Sequence, residues 1–288
     1  MGNFPAKEAA TKPMLYTEYD STRRMTLFSY IRRNIAEMHT YRYAYYNLVK
    51  NMLRTRYRRS ALGFLWTLVN PLLNLTVIAV VFSIIFKMDM AVFGRYVFSG
   101  LTPWTFISTG LIQGTMSLVA SEAFMKKVHL PKIMFPLVYI SVEGINFLFS
   151  LISIYIIFLF IGAKLSWVML LLPFAAIILF LFVAGCAMLL SVAYVYFRDT
   201  FNLTQVIVNA LFYSVPIIYP MEQVPEQFKA VCMYNPLYQF INRFRAILYD
   251  LRVPTLSEWI IALGLALLVL LAGTFVMMKK EGDIIFRL

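Results

Sequence analysis

Residues 54–72 read Arg54-Thr55-Arg56-Tyr57-Arg58-Arg59-Ser60-Ala61-Leu62-Gly63-Phe64-Leu65-Trp66-Thr67-Leu68-Val69-Asn70-Pro71-Leu72, a dense cationic segment joined directly to an apolar one. From Ala61 to Phe86 the chain carries no formal charge. About twenty helical residues cross the hydrocarbon core of a bilayer, so this run is long enough for one crossing. The four arginines ahead of it favour a cytoplasmic start, because positive flanks are retained inside. A buried helix of a large soluble protein would read the same way if the run stood alone. It does not: apolar runs recur at 96–120, 133–163, 165–197, 201–219 and 260–278.

The whole composition agrees. Of the 288 residues, 61% are hydrophobic and only 14% charged, against about 25% charged in a soluble domain. Mean hydropathy is +0.73. The net charge of +12 raises the question of nucleic acid, but 12 of the 26 Lys and Arg residues lie within positions 1–62, beside the first apolar run. Positive flanks and anionic lipid account for them more directly, and no nucleic-acid partner is expected. Cys186 and Cys232 form neither a metal-spacing motif nor a disulfide framework. No Gly-rich P-loop ending in Gly-Lys-Ser or Gly-Lys-Thr occurs. Neither a zinc-protease pattern, a serine nucleophile elbow nor a paired-acid site appears, so no catalytic or metal residue is assigned.

Residues 56–72 also carry a likeness. Arg56-Tyr57-Arg58-Arg59-Ser60, Leu62-Gly63, Trp66 and Asn70-Pro71-Leu72, spaced as they stand here, resemble the start of the first membrane span of ABC-2-type permeases, nearest the exporters of O-antigens, teichoic acids and capsules. The likeness covers roughly residues 35–288 and includes Asn235-Pro236-Leu237 and the hydropathy plan. It implies a membrane subunit that works with a second copy of itself and two separate ATP-binding cassette subunits. ATP and Mg2+ would be bound on those subunits, and no cofactor on this chain. The implied cargo is a lipid-linked cell-surface polysaccharide, and the implied site a bacterial cytoplasmic membrane. The residues alone leave two other classes open: an integral-membrane glycosyltransferase or lipid-processing enzyme, and a noncatalytic membrane assembly protein.

The expected fold is all-α: six transmembrane helices, an amphipathic N-terminal interfacial helix, and short re-entrant helices on the exterior. Residues 1–35 are polar and basic and are expected to form a cytoplasmic extension. In 36–60, Tyr41, Tyr45, Leu48 and Met52 recur at helical spacing with Arg42, Lys50 and Arg54 around them, the pattern of a helix lying at a membrane surface. Arg54, Arg56, Arg58 and Arg59 are its interfacial cations. Residues 61–288 form the six-helix domain, with both termini in the cytoplasm. Gly110 and Gly114, one turn apart, permit close helix contact.

Three groups of residues are singled out. The inside loop 121–136 holds Lys126, Lys127, His129 and Lys132 between prolines, and the resemblance makes it an element received by the ATPase. Glu143 interrupts a strongly apolar run, where a carboxylate must be paired, neutral or facing water. It lines a translocation path or makes a structural hydrogen bond, with Tyr139, Tyr155 and Tyr194 as further candidates for sugar contact. Finally, Pro220–Glu258 is too polar for an ordinary crossing, with Glu222, Glu226, Arg243, Arg245 and Asp250 as candidates for a wet surface. Its two short helices meet at Asn235-Pro236, and Leu237, Phe240 and Phe244 give the second an apolar face fit to close an exterior gate.

Overall fold

The computed structural model describes residues 26–56, 63–87, 89–160 and 166–288. Every regular element among the described residues is helical. The α-helices are α1 (Leu27–Thr40), α2 (Arg42–Arg56), α3 (Trp66–Phe86), α4 (Met90–Ala120), α5 (Glu122–Met125), α6 (Met134–Phe160), α7 (Leu172–Tyr196), α8 (Thr200–Ser214), α9 (Glu226–Tyr234), α10 (Pro236–Leu248) and α11 (Leu256–Arg287). Side-chain caps set several starts. Thr26 accepts from the Ser29 amide, Asn235 from that of Leu237, and Thr255 and Glu258 cap α11 reciprocally.

α7 is the central helix, with α11 along one side and α4 along another; α6 leans on both α4 and α7. Glycine lets these axes approach. A Cβ on Gly110 would meet the Val183 side chain at 2.5 Å, and one on Gly114 the Ala187 Cβ at 2.5 Å, so the Gly110/Gly114 expectation is met by α7. A Cβ on Gly185 would lie 2.6 Å from backbone atoms of Val269 and Leu270 in α11. α3 packs on α4 and α6, α8 on α4, and α10 on α4, α7 and α11.

The bundle has two distinguishable ends. One apolar cluster joins Tyr30, Leu118, Met125, Ile133, Val195, Met277 and Ile284, so α1, α5 and the end of α11 share the first end. A larger cluster joins Phe93, Trp104, Phe147, Val168, Phe240, Phe244 and Ala262, bringing α10 and the start of α11 to the second.

The six-span expectation is corrected. Three described helices are long and apolar enough to cross a membrane: Met134–Leu159, Trp167–Tyr196 (a 3₁₀ turn leading into α7) and Leu256–Arg287. The other three runs fail for different reasons. α8 has 15 residues, a rise of about 22 Å against a hydrocarbon core of about 30 Å. α4 is long, but it carries Arg95, Thr102, Pro103, Thr105, Ser108, Thr109, Gln113, Thr115 and Ser117, too many polar groups for the lipid-facing pattern. α3 contributes only a shorter apolar stretch, Thr76–Ile85, among the described residues.

Nor are re-entrant helices identified. α10 lies packed in the core, with Leu237, Phe240, Ile241, Phe244, Ile247 and Leu248 all buried. The single interfacial helix expected over 36–60 is two helices, α1 and α2, broken at Tyr41, whose amide donates to the Glu37 carbonyl. Arg58 and Arg59 lie outside the described residues.

Candidate functional site

The clearest polar site in the apolar body is the seam between α2 and α6. Glu143 is 6% exposed, and burying an unpaired carboxylate is expensive. Its Oε1 accepts from Arg56 Nη1 at 2.7 Å, and its Oε2 from Asn146 Nδ2 at 3.3 Å. Two and six residues before Glu143 on α6, the Tyr45 hydroxyl meets Ser141 Oγ at 2.6 Å and donates to the Leu137 carbonyl. Burial pushes the Tyr45 phenol up from its ordinary value, so it stays protonated. Val49 packs beside them against Met134, Val138 and Val142. Away from that seam α2 exposes Tyr43 and Tyr46, with Arg42 over the Tyr43 ring at 4.9 Å and Lys50 over Tyr46 at 5.5 Å. Arg54 is exposed beside them.

The candidate path residues do not form one site. Tyr139 meets Ser121 near the first end. Tyr155 donates to the Met169 carbonyl at 3.0 Å near the second. Sixteen residues of one helix separate the two, about 24 Å. Tyr194, on α7, packs against Phe201 at 5.9 Å and under Arg198 at 5.4 Å. Each tyrosine is engaged in holding helices together.

The loop around α5 divides its charges. Lys126 pairs with Glu122 at 2.5 Å one turn away. Lys126, Lys127 and His129 are exposed, and Phe124 and Val128 present apolar surface among them. Lys132 turns the other way and donates to the Glu281 carbonyl. Burial lowers the Lys132 ammonium from its ordinary value, while Glu281 pulls it back up. Glu281 itself is buried, and its Oε2 accepts from Arg33 Nη2 at 2.7 Å. Sequence reasoning missed Glu281. It stands in the charged tail Lys279-Lys280-Glu281, and only its helical register marks it as inward-facing.

At the second end, the apolar face of α10 is committed to the core. Phe240 lies 4.5 Å from Phe182 and Phe244 5.7 Å from Phe147, ring centre to ring centre. Arg243 and Arg245, expected on a wet surface, are buried instead. Arg245 donates to the Pro216 and Ile217 carbonyls at 3.0 and 3.1 Å and stacks 3.8 Å from the Tyr96 ring centre. Arg243 donates through Nε to the Glu258 carbonyl at 2.7 Å, and burial brings its guanidinium down to about 10. Arg252 grips the Glu258 carboxylate with two bonds of 3.0 and 2.9 Å. α9 differs from α10: Phe228, Val231, Met233 and Tyr234 are exposed. An open apolar groove of about 820 Å³ runs between α9, α7 and α8, lined by Phe182, Leu190, Leu211, Val231, Tyr234 and Leu237.

Among the described residues no three His, Cys, Asp or Glu side chains gather as metal ligands. The arrangement offers a paired carboxylate at a helix seam, a cationic and apolar turn at one end, and an apolar groove at the other.

A family model described as ABC-2 type transporter matches residues 43–249. The chain is 28% identical over 241 residues to the O-antigen export system permease protein RfbA of Myxococcus xanthus, covering 83% of this chain and 92% of that protein. Two proteins of the same name from Klebsiella pneumoniae are 30% identical over 196 residues and 29% over 198. These matches cover 67% and 68% of this chain and 75% and 76% of theirs.

Proposed function

This chain belongs to the ABC-2 type transporter family, and we propose that it is the membrane permease of an ATP-driven exporter that carries a lipid-linked, O-antigen-type polysaccharide across the bacterial inner membrane. The observation that carries this reading is the similarity to O-antigen export permeases along 83% of the chain. Two copies work with two separate ATP-binding subunits, which supply the ATP chemistry; the permease itself catalyses none. Residues 61–288 are the permease domain, 36–60 the interfacial element and 1–35 a cytoplasmic extension, with α1 bridging the last two.

The first end of the bundle faces the cytoplasm. It gathers α1, α5, Lys126, Lys127, Arg198 and the Lys279-Lys280 end of α11, and positive segments are retained on that side. The Arg33–Glu281 ion pair joins α1 to the end of α11 and supports assigning the two to the same side. The exposed turn with Lys126, Lys127, His129, Phe124 and Val128 is the surface the ATPase receives. Glu143 and Arg56 stand where the interfacial helix meets the span, at a lateral entrance for the lipid carrier. The α9–α10 segment is the exterior gate.

Export is tested with the permease and its ATP-binding subunits in inverted membrane vesicles supplied with lipid-linked polymer. Polymer should enter the lumen only when ATP is hydrolysed. An active ATPase complex that moves no O-antigen-type polymer would overturn the reading. Chemical turnover of a sugar donor by the permease alone would replace it with an enzyme, and entry of a teichoic-acid polymer alone would change the cargo.

A further inference from the structure

Among the described residues, Glu281 ties three elements of the first end together by charge. Its carboxylate takes the Arg33 guanidinium of α1 at 2.7 Å. Its backbone carbonyl takes the ammonium of Lys132, which closes the turn that begins at α5. Arg33 also approaches Glu37 on its own helix at 3.5 Å. The Glu281 side chain is 9% exposed and that of Arg33 28%, so the pair is partly shielded from water, a setting in which charge pairs are stronger and costlier to part than at an open surface. The same three elements share one apolar cluster: Tyr30 from α1, Met125 and Ile133 on either side of the turn, Met277 and Ile284 from α11. α1, the turn and the last turns of α11 are thus cross-linked both by packing and by charge.

We propose that Glu281 is a positioning residue for transport: it fastens α1 and the ATPase-facing turn to α11, so that displacement of the turn is passed to the last membrane helix. This rests on the exporter reading above. Packed elements respond as a body when their contacts favour a single arrangement, as a partly buried ion pair set in a shared apolar cluster does. α11 packs along α7 for much of its length, with Gly185 and Gly273 in direct backbone approach. A shift at Glu281 therefore reaches the central helix without crossing a loop. Without the Arg33–Glu281 pair, the apolar cluster and the Lys132 contact remain, and displacement at the first end is passed to α11 only in part.

The test uses the full complex in inverted vesicles and reads export per ATP hydrolysed. Glu281→Gln should assemble and hydrolyse ATP, while export per ATP falls by about fivefold or more. The charge exchange Arg33→Glu with Glu281→Arg should recover a large part of the loss, which general damage to packing would not allow. An unchanged ratio in Glu281→Gln would overturn the proposal. Should that variant fail to assemble, Arg33→Cys with Glu281→Cys, in a chain whose Cys186 and Cys232 are replaced, gives a second test. Oxidative cross-linking should leave export intact, since the elements move together; arrest by the cross-link would equally overturn the proposal. A wild-type complex that hydrolyses ATP and exports nothing in the same vesicles marks failure of the exporter reading instead.

Discussion

At the scale of single residues, the pairing of Arg56 with Glu143 does the most to define the chain's chemistry. Each half was legible in the sequence: Glu143 as an acid inside an apolar run, Arg56 as one of a cationic cluster. Their meeting across 87 positions was not, because helical spacing informs about neighbours on one helix and says nothing of which helices pack. The pair predicts unequal consequences for its members. Arg56→Ala leaves a carboxylate buried without its cation and should cost about 2 kcal/mol, less than a fully buried pair because the Arg56 side chain is 41% exposed. Glu143→Gln keeps a polar side chain able to bond Asn146 and should cost less. The double variant should be more stable than Arg56→Ala alone, since the stranded charge is gone. Apparent unfolding midpoints in detergent would measure this cycle; strictly additive losses would remove the pair from the account. Glu281 shows the opposite case, an acid whose charged neighbours in sequence disguised its burial.

Elements were more legible than their roles. Long apolar runs located α6, α7 and α11, and the proline-separated segment located α9 and α10, because apolar periodicity and helix breakers are local properties. The break at Tyr41 was not visible, since Ala36–Arg56 keeps a helical pattern through it. Arg243 and Arg245 looked wet because their partners are carbonyls freed at Pro216 and at the start of α11, which no side-chain pattern records. The α5 turn shows the same division. Four basic residues were grouped there, and Lys132 faces inward while the other three face out. On the exporter reading, the proposed ATPase contact is carried by Lys126, Lys127 and His129 with Phe124 and Val128, the side chains of this turn that face out. Changing those three polar side chains to Gln should reduce ATPase co-purification several-fold, roughly the scale of losing a few partly desolvated charge contacts, with the permease level in the membrane unchanged. Normal association and normal export of that variant would take the turn out of the interface.

For the whole molecule, the number of crossings was the main misreading, and its cause bears on mechanism. Counting apolar runs treats every run as lipid-facing, whereas α4 buries hydroxyls such as Ser99, Thr115 and Ser117 inside the bundle, each donating to its own helix backbone. The same distinction between packed and unpacked elements bears on which helix moves at the proposed exterior gate. Read from the pattern alone, α10 carries the closing face of that gate, on Leu237, Phe240 and Phe244. In the fold, α10 is held by Phe182, Phe147 and the carbonyls that Arg243 and Arg245 bind, whereas α9 exposes most of its apolar side chains beside the open groove. The junction between them is weak: Asn235 is extended, with φ −66° and ψ 120°, and Pro236 supplies no amide to continue a helix. α9 should therefore swing about Asn235-Pro236 while α10 stays in place. Spin labels at Ala230 and Leu189 span the groove from α9 to α7; a second pair, at Gln239 and Phe174, reports α10 against the same helix. During ATP turnover by the assembled exporter, the first distance should change and the second should not. Equal changes in both would mean the two helices move as one body, and no change in either during active export would place the gate elsewhere.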